Sequence, residues 1–200
     1  MDWSVSLYTG IVWAPVLFAA GLAVSRPFTR RSACGLIAGL AVLAGGVLLH
    51  IDGLPAVAYL RAVLAEPSMG LVVICLVYGI RSLAAHGTGC RTAPLHVTVL
   101  ILSLGLYPLS LGVGWFDPYA LGYQRVFALG LLIVALVLWW TPGTGILAVW
   151  LTLAILTHRT GLGESDNLWD FLIDPIIVMI AIGWTTGCLV RAIGGRFVKD

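Results

Sequence analysis

Residues 164–184, ESDNLWDFLIDPIIVMIAIGW, join four carboxylates to a long apolar run. Glu164, Asp166, Asp170 and Asp174 all come before or at the start of PIIVMIAIGW. A carboxylate in or near hydrocarbon is unfavourable unless it is paired or faces water. The stretch therefore raises two questions: whether the chain lies in a membrane, and what holds the acidic side chains where the apolar run begins.

The composition of the whole chain answers the first question. Of the 200 residues, 60% are hydrophobic and 10% are charged, whereas an ordinary soluble domain carries about 25% charged residues. A membrane-spanning helix needs about 20 apolar residues, and seven runs approach that length: 6–24, 33–51, 68–85, 95–114, 126–140, 146–158 and 168–190. We therefore expect one integral membrane domain over residues 1–200, an all-α polytopic bundle of about seven transmembrane segments.

The fifth and sixth runs leave the number of spans open. The fifth run is only fifteen residues long unless its helix begins at Pro118, in which case it includes Gln124 and Arg125. The two runs therefore either both cross the membrane or form a re-entrant hairpin that enters from the outer face. In both cases the segments before the fifth run and after the sixth run lie on the outer side.

The basic residues predict the orientation, because Lys and Arg concentrate in cytoplasmic loops. With the N-terminus outside and seven spans, eight basic residues lie inside: Arg26, Arg30, Arg31, Arg81, Arg91, Arg191, Arg196 and Lys199. Three lie outside: Arg61, Arg125 and Arg159. This asymmetry predicts a protein of the cell (inner, cytoplasmic) membrane with its C-terminus in the cytosol.

A short amphipathic segment separates the second and third runs. In PAVAYLRAVLAEP, Ala56, Leu60, Val63 and Leu64 share one helical side, with Arg61 and Glu66 away from that stripe. Pro55 suits a first turn and Pro67 ends it. We expect a short helix on the outer surface that either lies at the membrane interface or packs over the bundle.

The acidic stretch predicts a polar site at the outer face. If the last helix begins at 167 and the fifth at 118, Asp174 and Arg125 each lie about 10 Å into their helices at 1.5 Å per residue. Two opposite charges at equal depth predict an interhelical ion pair. The remaining candidates for this cluster are Asp170, Asp166, His158, Gln124 and Tyr123, with Tyr107-Pro108 as a kinked wall; His50, Asp52 and Asp117 are secondary.

The Asp-Pro dipeptides allow a simpler interpretation of two of these residues. Asp is a good N-cap, and Pro suits the first helical position because it has no N–H to leave unpaired. Asp117-Pro118 and Asp174-Pro175 would then be helix starts. We favour this for Asp117 and expect Asp174 to be more than a cap.

Cofactor and nucleic-acid sites are not indicated. Cys34, Cys75, Cys90 and Cys188 show no CxxC spacing, so we expect four free thiols and no metal or cofactor. The last apolar run contains no lysine for a retinal Schiff base. The dispersed basic residues, without an aromatic-rich polar segment, do not predict nucleic-acid binding.

Three functions remain for a chain with almost no extramembrane domain. The first choice is an accessory or scaffold subunit, contacting membrane lipid and a protein partner in the membrane or periplasm. The alternative is a membrane enzyme that acts at the outer face on a lipid-linked or periplasmic substrate through the Asp/His/Arg cluster. The second alternative is a cation transporter with an acidic outer mouth.

Overall fold

The computed structural model describes residues 3–25, 32–83, 92–161 and 163–197. Within them the α-helices are α1 (Trp3–Ser25), α2 (Ser32–Leu48), α3 (Ala56–Leu64), α4 (Met69–Leu83), α5 (Ala93–Pro108), α6 (Arg125–Trp140), α7 (Gly145–Thr160), α8 (Leu168–Leu172) and α9 (Pro175–Phe197). A π-helical turn (Leu109–Val113) follows α5, and a 3-10 turn (Tyr119–Tyr123) precedes α6. Two antiparallel two-residue strands, β1 (His50–Ile51) and β2 (Leu54–Pro55), are the sheet in these residues. The predicted all-α helix bundle is confirmed.

The bundle is assembled from neighbouring pairs of helices. α1 packs against α2 and α4, α6 against α7, and α5 against α9. Close approach of α1 and α2 depends on small residues, since a Cβ on Gly21 would lie 2.6 Å from the carbonyl oxygen of Ala38. The core centres on Trp150, Leu172 and Ile177, which are fully buried. The short helix α8 and the start of α9 are therefore part of the core.

The number of long apolar helices is smaller than the sequence predicts. Among the described residues, Ala93–Val113 and Pro175–Ile193 are long and apolar enough to cross a membrane, so the expectation of seven such helices is not met. Five further apolar helices are shorter: Tyr8–Val24, Gly35–Leu48, Met69–Ser82, Arg125–Trp140 and Gly145–Thr160. The residues Arg26, Arg30, Arg31, Arg91 and Lys199, on which the predicted orientation depends, lie outside the described residues, as does Cys90.

The predicted short helix between the second and third runs exists as α3. The buried face contains Val57, which packs against Trp13 and Leu17 of α1. Val63, on the predicted apolar side, is 81% exposed. Arg61, one turn after Val57, instead turns toward the bundle. The apolar pattern alone does not determine which residues of α3 face the bundle, because that depends on the partner surface.

Two expected helices begin later than predicted. The seventh run is interrupted at Ile173, whose backbone is extended, and α9 starts at Pro175. In the fifth run the 3-10 turn and an extended Gln124 (φ −91°, ψ 131°) delay the start of α6 to Arg125. Both Asp174 and Arg125 therefore lie at the beginning of a helix and not two turns inside one.

Candidate functional site at the acidic end of the bundle

Asp174 holds the first turns of two helices together. Its Oδ1 accepts a hydrogen bond from the backbone N–H of Ile177 (2.8 Å), which makes it the N-cap of α9. Its Oδ2 accepts a hydrogen bond from the backbone N–H of Ser68 (2.8 Å), immediately before α4. A carboxylate is also favoured by the positive end of each helix dipole. Asp174 is thus a cap that serves two helices, and these contacts show no role for it beyond capping.

The predicted ion pair between Arg125 and Asp174 is wrong. In the described part of the chain the ion pairs of Lys or Arg with carboxylates are those of Arg61 with Glu66 and with Glu164. Arg125 is exposed at the first residue of α6. The pairing required both residues at equal depth inside long helices, and the two late helix starts remove that premise.

Asp170 is held by two hydroxyl groups. The hydroxyl of Tyr119 donates to Oδ1 (3.0 Å) and Oδ2 (2.9 Å) of Asp170. The hydroxyl of Ser165 also donates to Oδ2, at 2.5 Å. Burial, followed by the hydrogen bond to Asp170, raises the pKa of Tyr119 above its ordinary value. The hydrogen bonds between Tyr119 and Asp170 connect the 3-10 turn before α6 to α8.

Asn167 fixes the same two segments from inside the protein. This residue is fully buried; its Oδ1 accepts the backbone N–H of Trp169 (2.9 Å), and its Nδ2 donates to the carbonyl of Tyr119 (3.0 Å). The indole N–H of Trp169 donates to the carbonyl of Pro118 (2.9 Å). A Cβ on Gly122 would lie 1.7 Å from Asn167 Oδ1, so only glycine fits there. The acidic end of the bundle is therefore a closely fitted structure.

Arg61 organises a second group of carboxylates. Its Nε donates to Oε1 of Glu164 (2.8 Å), and its Nη1 donates to the hydroxyl of Thr9 (2.9 Å). Its Nη2 lies 3.2 Å from Oε1 of Glu66. One guanidinium thus links α1, α3 and the loops that precede α4 and α8. The sequence analysis missed it as a site residue, although its spacing of four from the buried Val57 was a usable signal.

Glu66 is the more buried carboxylate of this group. Its side chain is only 9% exposed. Oε2 accepts the backbone N–H of Glu164 at 3.3 Å, and Oε1 forms an ion pair with Nη2 of Arg61 at 3.2 Å. Burial raises the pKa of Glu66, against the opposing attraction of Arg61. The preceding residue, Ala65, has φ 57° and ψ −159°, a conformation that is strained for an L-residue.

Two cavities meet at Ala65, Glu66 and Asp170. We call the first, of about 390 Å³, the polar cavity; its lining also includes Pro67, Tyr123, Glu164, Ser165, Asp166 and Phe171. We call the second, of about 530 Å³, the amphipathic cavity; its lining also includes Leu64, Leu106, Tyr107, Ser110, Leu111, Tyr119, Trp169, Ile173, Asp174 and Pro175. Tyr107 and Asp174 both line the amphipathic cavity.

The other predicted residues have separate positions. His158 Nε2 lies 3.0 Å from the carbonyl oxygen of Asp166, and its ring meets that of Phe171 edge-on, so it closes the α7–α8 loop. Gln124 and Tyr123 are exposed before α6. The secondary candidates are not part of the group: His50 and Asp52 lie in the β1–β2 hairpin, and Asp117 accepts the backbone N–H of Tyr119 as a local cap.

Within the residues described, no group of three or more His, Cys, Asp or Glu side chains is placed so that it could hold a metal ion. Cys75 is buried and Cys188 is partly buried, both as free thiols. Comparisons with protein-family models, with curated proteins and with solved structures find no match to this chain.

Proposed function

We propose that this chain is an integral membrane helix bundle that serves as an accessory or scaffold subunit for a larger membrane or periplasmic system. The exposed surface of α6 supports the membrane placement. Leu129, Ile133, Val137 and Trp140 recur at helical spacing, and all are largely exposed. Soluble monomers rarely expose contiguous apolar patches of more than a few hundred Å², and hydrocarbon around the helix removes the unfavourable contact with water.

The position of the turn between α6 and α7 favours two membrane-spanning helices rather than a re-entrant hairpin. Gly143 and Gly145, at this turn, line a cavity together with Arg81, near the end of α4, and Pro94, at the start of α5. The hairpin therefore reaches as far along the bundle as α4 and α5 do. Each of its helices has 16 residues, or about 24 Å at 1.5 Å per residue, which suits a locally thinned bilayer.

We propose the orientation given by the basic residues, with the N-terminus and the acidic end outside. Asp52→Cys and Pro142→Cys test it in a chain whose four native cysteines are replaced by alanine. An impermeant thiol reagent should label position 52 in intact cells and position 142 only in inside-out vesicles. Labelling of 142 from the outer side reverses the orientation. No labelling of 142 from either side favours the re-entrant hairpin.

The scaffold role is supported by what the carboxylates do. Asp174 caps two helices, Asp170 is held by Tyr119 and Ser165, and Glu164 is bound to Arg61. These acidic groups hold the ends of helices and loops in place, a structural task that needs no substrate. The adjoining loop presents apolar side chains outward, with Trp115 98% exposed. A rigid end of the bundle that presents exposed apolar side chains is suited to contact with a protein partner.

A photo-crosslinking amino acid at Trp115 tests this role in intact cells. The control is the same replacement at Leu104, which is exposed in the middle of α5. We expect one discrete protein adduct at position 115 and lipid adducts at position 104. Absence of a protein adduct at 115, with lipid at both positions, contradicts a partner at this surface.

A membrane enzyme acting at the acidic end is the second candidate. One observation favours it: Glu66 is a buried carboxyl with a raised pKa on the wall of two cavities, beside a strained backbone. A carboxyl whose pKa is raised by burial suits proton transfer near neutral pH. If Glu66→Gln folds normally and retains the Trp115 adduct but fails to restore the function lost on deletion of the gene, the enzyme replaces the scaffold as first choice.

A further inference from the structure

A further cavity lies between α4, α5 and α9, toward the end of the bundle away from Asp174. Its volume is about 310 Å³, which is within the range of small-molecule sites. We call it the histidine cavity, and the residues that line it are Ile74, Val77, Tyr78, Arg81, Thr92, His96, Ile180 and Trp184. This lining contains no carboxylate among the described residues, in contrast to the two cavities at the acidic end.

His96 presents one ring nitrogen to this cavity without a protein partner. The residue is only 3% exposed, and its ring stacks on that of Trp184 with the centroids 4.7 Å apart. Nδ1 lies 2.7 Å from the carbonyl oxygen of Thr92. Nε2 has no hydrogen-bond partner among the described residues, and it is not one of the fully covered polar atoms, so it is open to the cavity. Polar atoms inside native proteins are normally hydrogen-bonded, so a partner for Nε2 is expected in the cavity.

The bond to Thr92 determines what that partner must offer. A carbonyl oxygen only accepts, so Nδ1 carries the hydrogen of this bond. An imidazole with its ordinary pKa of about 6.5 is mostly neutral at pH 7.5, and a neutral ring with its hydrogen on Nδ1 accepts at Nε2. A ligand therefore satisfies His96 by donating a hydrogen bond, as a hydroxyl group does.

Arg81 determines the charge of the ligand. It lines the histidine cavity and also the cavity of about 770 Å³ at the α6–α7 turn, which we call the hairpin cavity. The first turns of α5 and α7 reach the hairpin cavity through Pro94 and Gly145, and neither helix has a side-chain cap. A guanidinium group and the positive ends of two helices all favour an anion. The described lining of the hairpin cavity also contains no carboxylate that would oppose it.

The hairpin cavity also provides an apolar path to the surroundings. Its lining includes Val73, Ile80 and Val149, and Ile80 is 65% exposed. In a membrane this opening adjoins acyl chains. Val77 and Arg81, one helical turn apart on α4, line both cavities. A single molecule can therefore place its head group in the histidine cavity and a hydrocarbon chain in the hairpin cavity.

We propose that the two cavities bind an anionic phospholipid with a hydroxylated head group, whose phosphate contacts Arg81 and whose hydroxyl donates to Nε2 of His96. One acyl chain lies in the hairpin cavity, and phosphatidylglycerol has this chemistry. In the proposed orientation Arg81 lies on the cytoplasmic side, where anionic lipids are concentrated. The inference rests on the membrane placement in the proposed function but not on the protein partner, so the two proposals can fail separately. A soluble glycerol phosphate shares the head-group chemistry, and the experiment distinguishes it from the lipid.

Native mass spectrometry of the purified full-length protein in detergent at pH 7.5 compares three lipids with the same acyl chains. Phosphatidylglycerol has the negative charge and the head-group hydroxyls, phosphatidylmethanol has the charge alone, and phosphatidylcholine has neither a net charge nor a hydroxyl. We expect phosphatidylglycerol to bind about fivefold to tenfold more tightly than phosphatidylmethanol, the contribution of one hydrogen bond, and phosphatidylcholine to bind most weakly. Equal binding of the two anionic lipids overturns the hydroxyl contact, and equal binding of all three overturns the site.

His96→Asn tests the hydroxyl contact. The amide nitrogen of asparagine lies near the position of Nδ1 and can still donate to the carbonyl of Thr92, whereas Nε2 is removed. The preference for phosphatidylglycerol over phosphatidylmethanol should disappear in this variant, with the affinity for phosphatidylmethanol unchanged. A preference that persists overturns the assignment to His96. The comparison of lipids on the wild-type protein keeps the proposal falsifiable if this variant does not fold.

Arg81→Gln tests the contact with the phosphate. It should weaken the binding of both anionic lipids about tenfold or more, because a charge-assisted contact is lost, and leave the ratio of their affinities unchanged. The matched control is Arg191→Gln, the same charge change on an exposed residue of α9 that lines neither cavity. The control should bind both lipids as the wild type does. Equal weakening in the two variants indicates only general attraction between charges and overturns the site at Arg81.

Competition with glycerol 3-phosphate distinguishes the two sources of the head group. Without an acyl chain in the hairpin cavity, this compound should leave bound phosphatidylglycerol in place even at millimolar concentration. Displacement at micromolar concentration overturns the lipid and identifies a soluble phosphate ester as the ligand.

Discussion

The carboxylate of Asp174 accepts a hydrogen bond from the backbone N–H of Ser68, 106 residues earlier in the chain, at 2.8 Å. The same side chain caps α9 through Ile177. A helix N-terminus leaves backbone N–H groups without intrahelical partners, and one carboxylate here serves two such ends. The start of α4 and the start of α9 are therefore stabilised together.

Asp174→Ala should lower the free energy of unfolding by about 2–4 kcal/mol, because two charge-assisted hydrogen bonds and an N-cap are lost together. Asp174→Asn should cost less, since its amide oxygen can still cap one helix. The matched control is Asp166→Ala: Asp166 is exposed, and the contact described for it is through its carbonyl oxygen. Thermal unfolding in detergent provides the comparison, and equal effects of the two alanine variants would show that Asp174 is merely solvated.

Gly122→Ala should destabilise the acidic end by about 2–3 kcal/mol, the usual cost of overpacking. The new methyl group would displace the buried Asn167 and with it the turn that carries Tyr119. Gly130→Ala is the control, because a Cβ there meets nothing within 4 Å in the interior of α6. That control should be as stable as the wild type or more stable, since alanine favours the helix. The Tm values of the Gly122→Ala and Gly130→Ala variants, measured by circular dichroism, test this prediction.

Trp150→Phe should cost about 2–4 kcal/mol. The indole N–H of the fully buried Trp150 donates to the carbonyl of Leu172 (3.1 Å), which the break between α8 and α9 leaves without a helical partner. Trp139→Phe makes the same chemical change on an exposed side chain whose N–H reaches the Thr152 hydroxyl at 3.4 Å. It should change stability by less than about 1 kcal/mol. Denaturant titration gives the free energy of unfolding of both variants. Similar decreases in the two would show that the buried hydrogen bond from Trp150 to Leu172 is not what stabilises the protein.

The raised pKa of Glu66 predicts a pH dependence of stability with a defined sign. Folding favours the protonated carboxyl, so the stabilising contribution of Glu66 is fully present below its unfolded-state pKa and is lost as the pH rises through the higher folded-state pKa. Glu66→Gln should therefore gain stability relative to the wild type as the pH rises through that interval. The measurement is the difference in Tm between the two proteins from pH 4 to pH 8. A constant difference would show that Glu66 titrates as a solvated group.

The helix starts at Asn167 and Asp174-Pro175 could be predicted because N-capping is local. Asn167 accepts the N–H of Trp169, and Asp174 accepts that of Ile177, as their residue types suggest. The partner of Asp174 could not be predicted in the same way. The distant Ser68 is its second donor, and nothing in the local sequence distinguishes that donor from Arg125.

Arg125 and Arg61 show why the ion pairs could not be predicted from the sequence. The depth of Arg125 was calculated from a helix beginning at Pro118, but the chain uses residues 119–124 for a 3-10 turn and an extended residue. The hydrophobic pattern of α3 places Arg61 off the apolar stripe and identifies no partner for it. Its two carboxylate partners, Glu66 and Glu164, lie in loops whose positions depend on tertiary packing.

The contact between Asp174 and Ser68 also bears on the order in which the chain can mature. During synthesis α4 emerges long before residue 174, so the N–H of Ser68 must remain with water or lipid head groups until more than half of the chain has followed. The packing of α1 against α2 and α4 involves only residues made earlier, so these helices can associate before the chain is finished. The start of α4 receives its cap only after residue 174 has been made, which couples the last step of its folding to the arrival of α9.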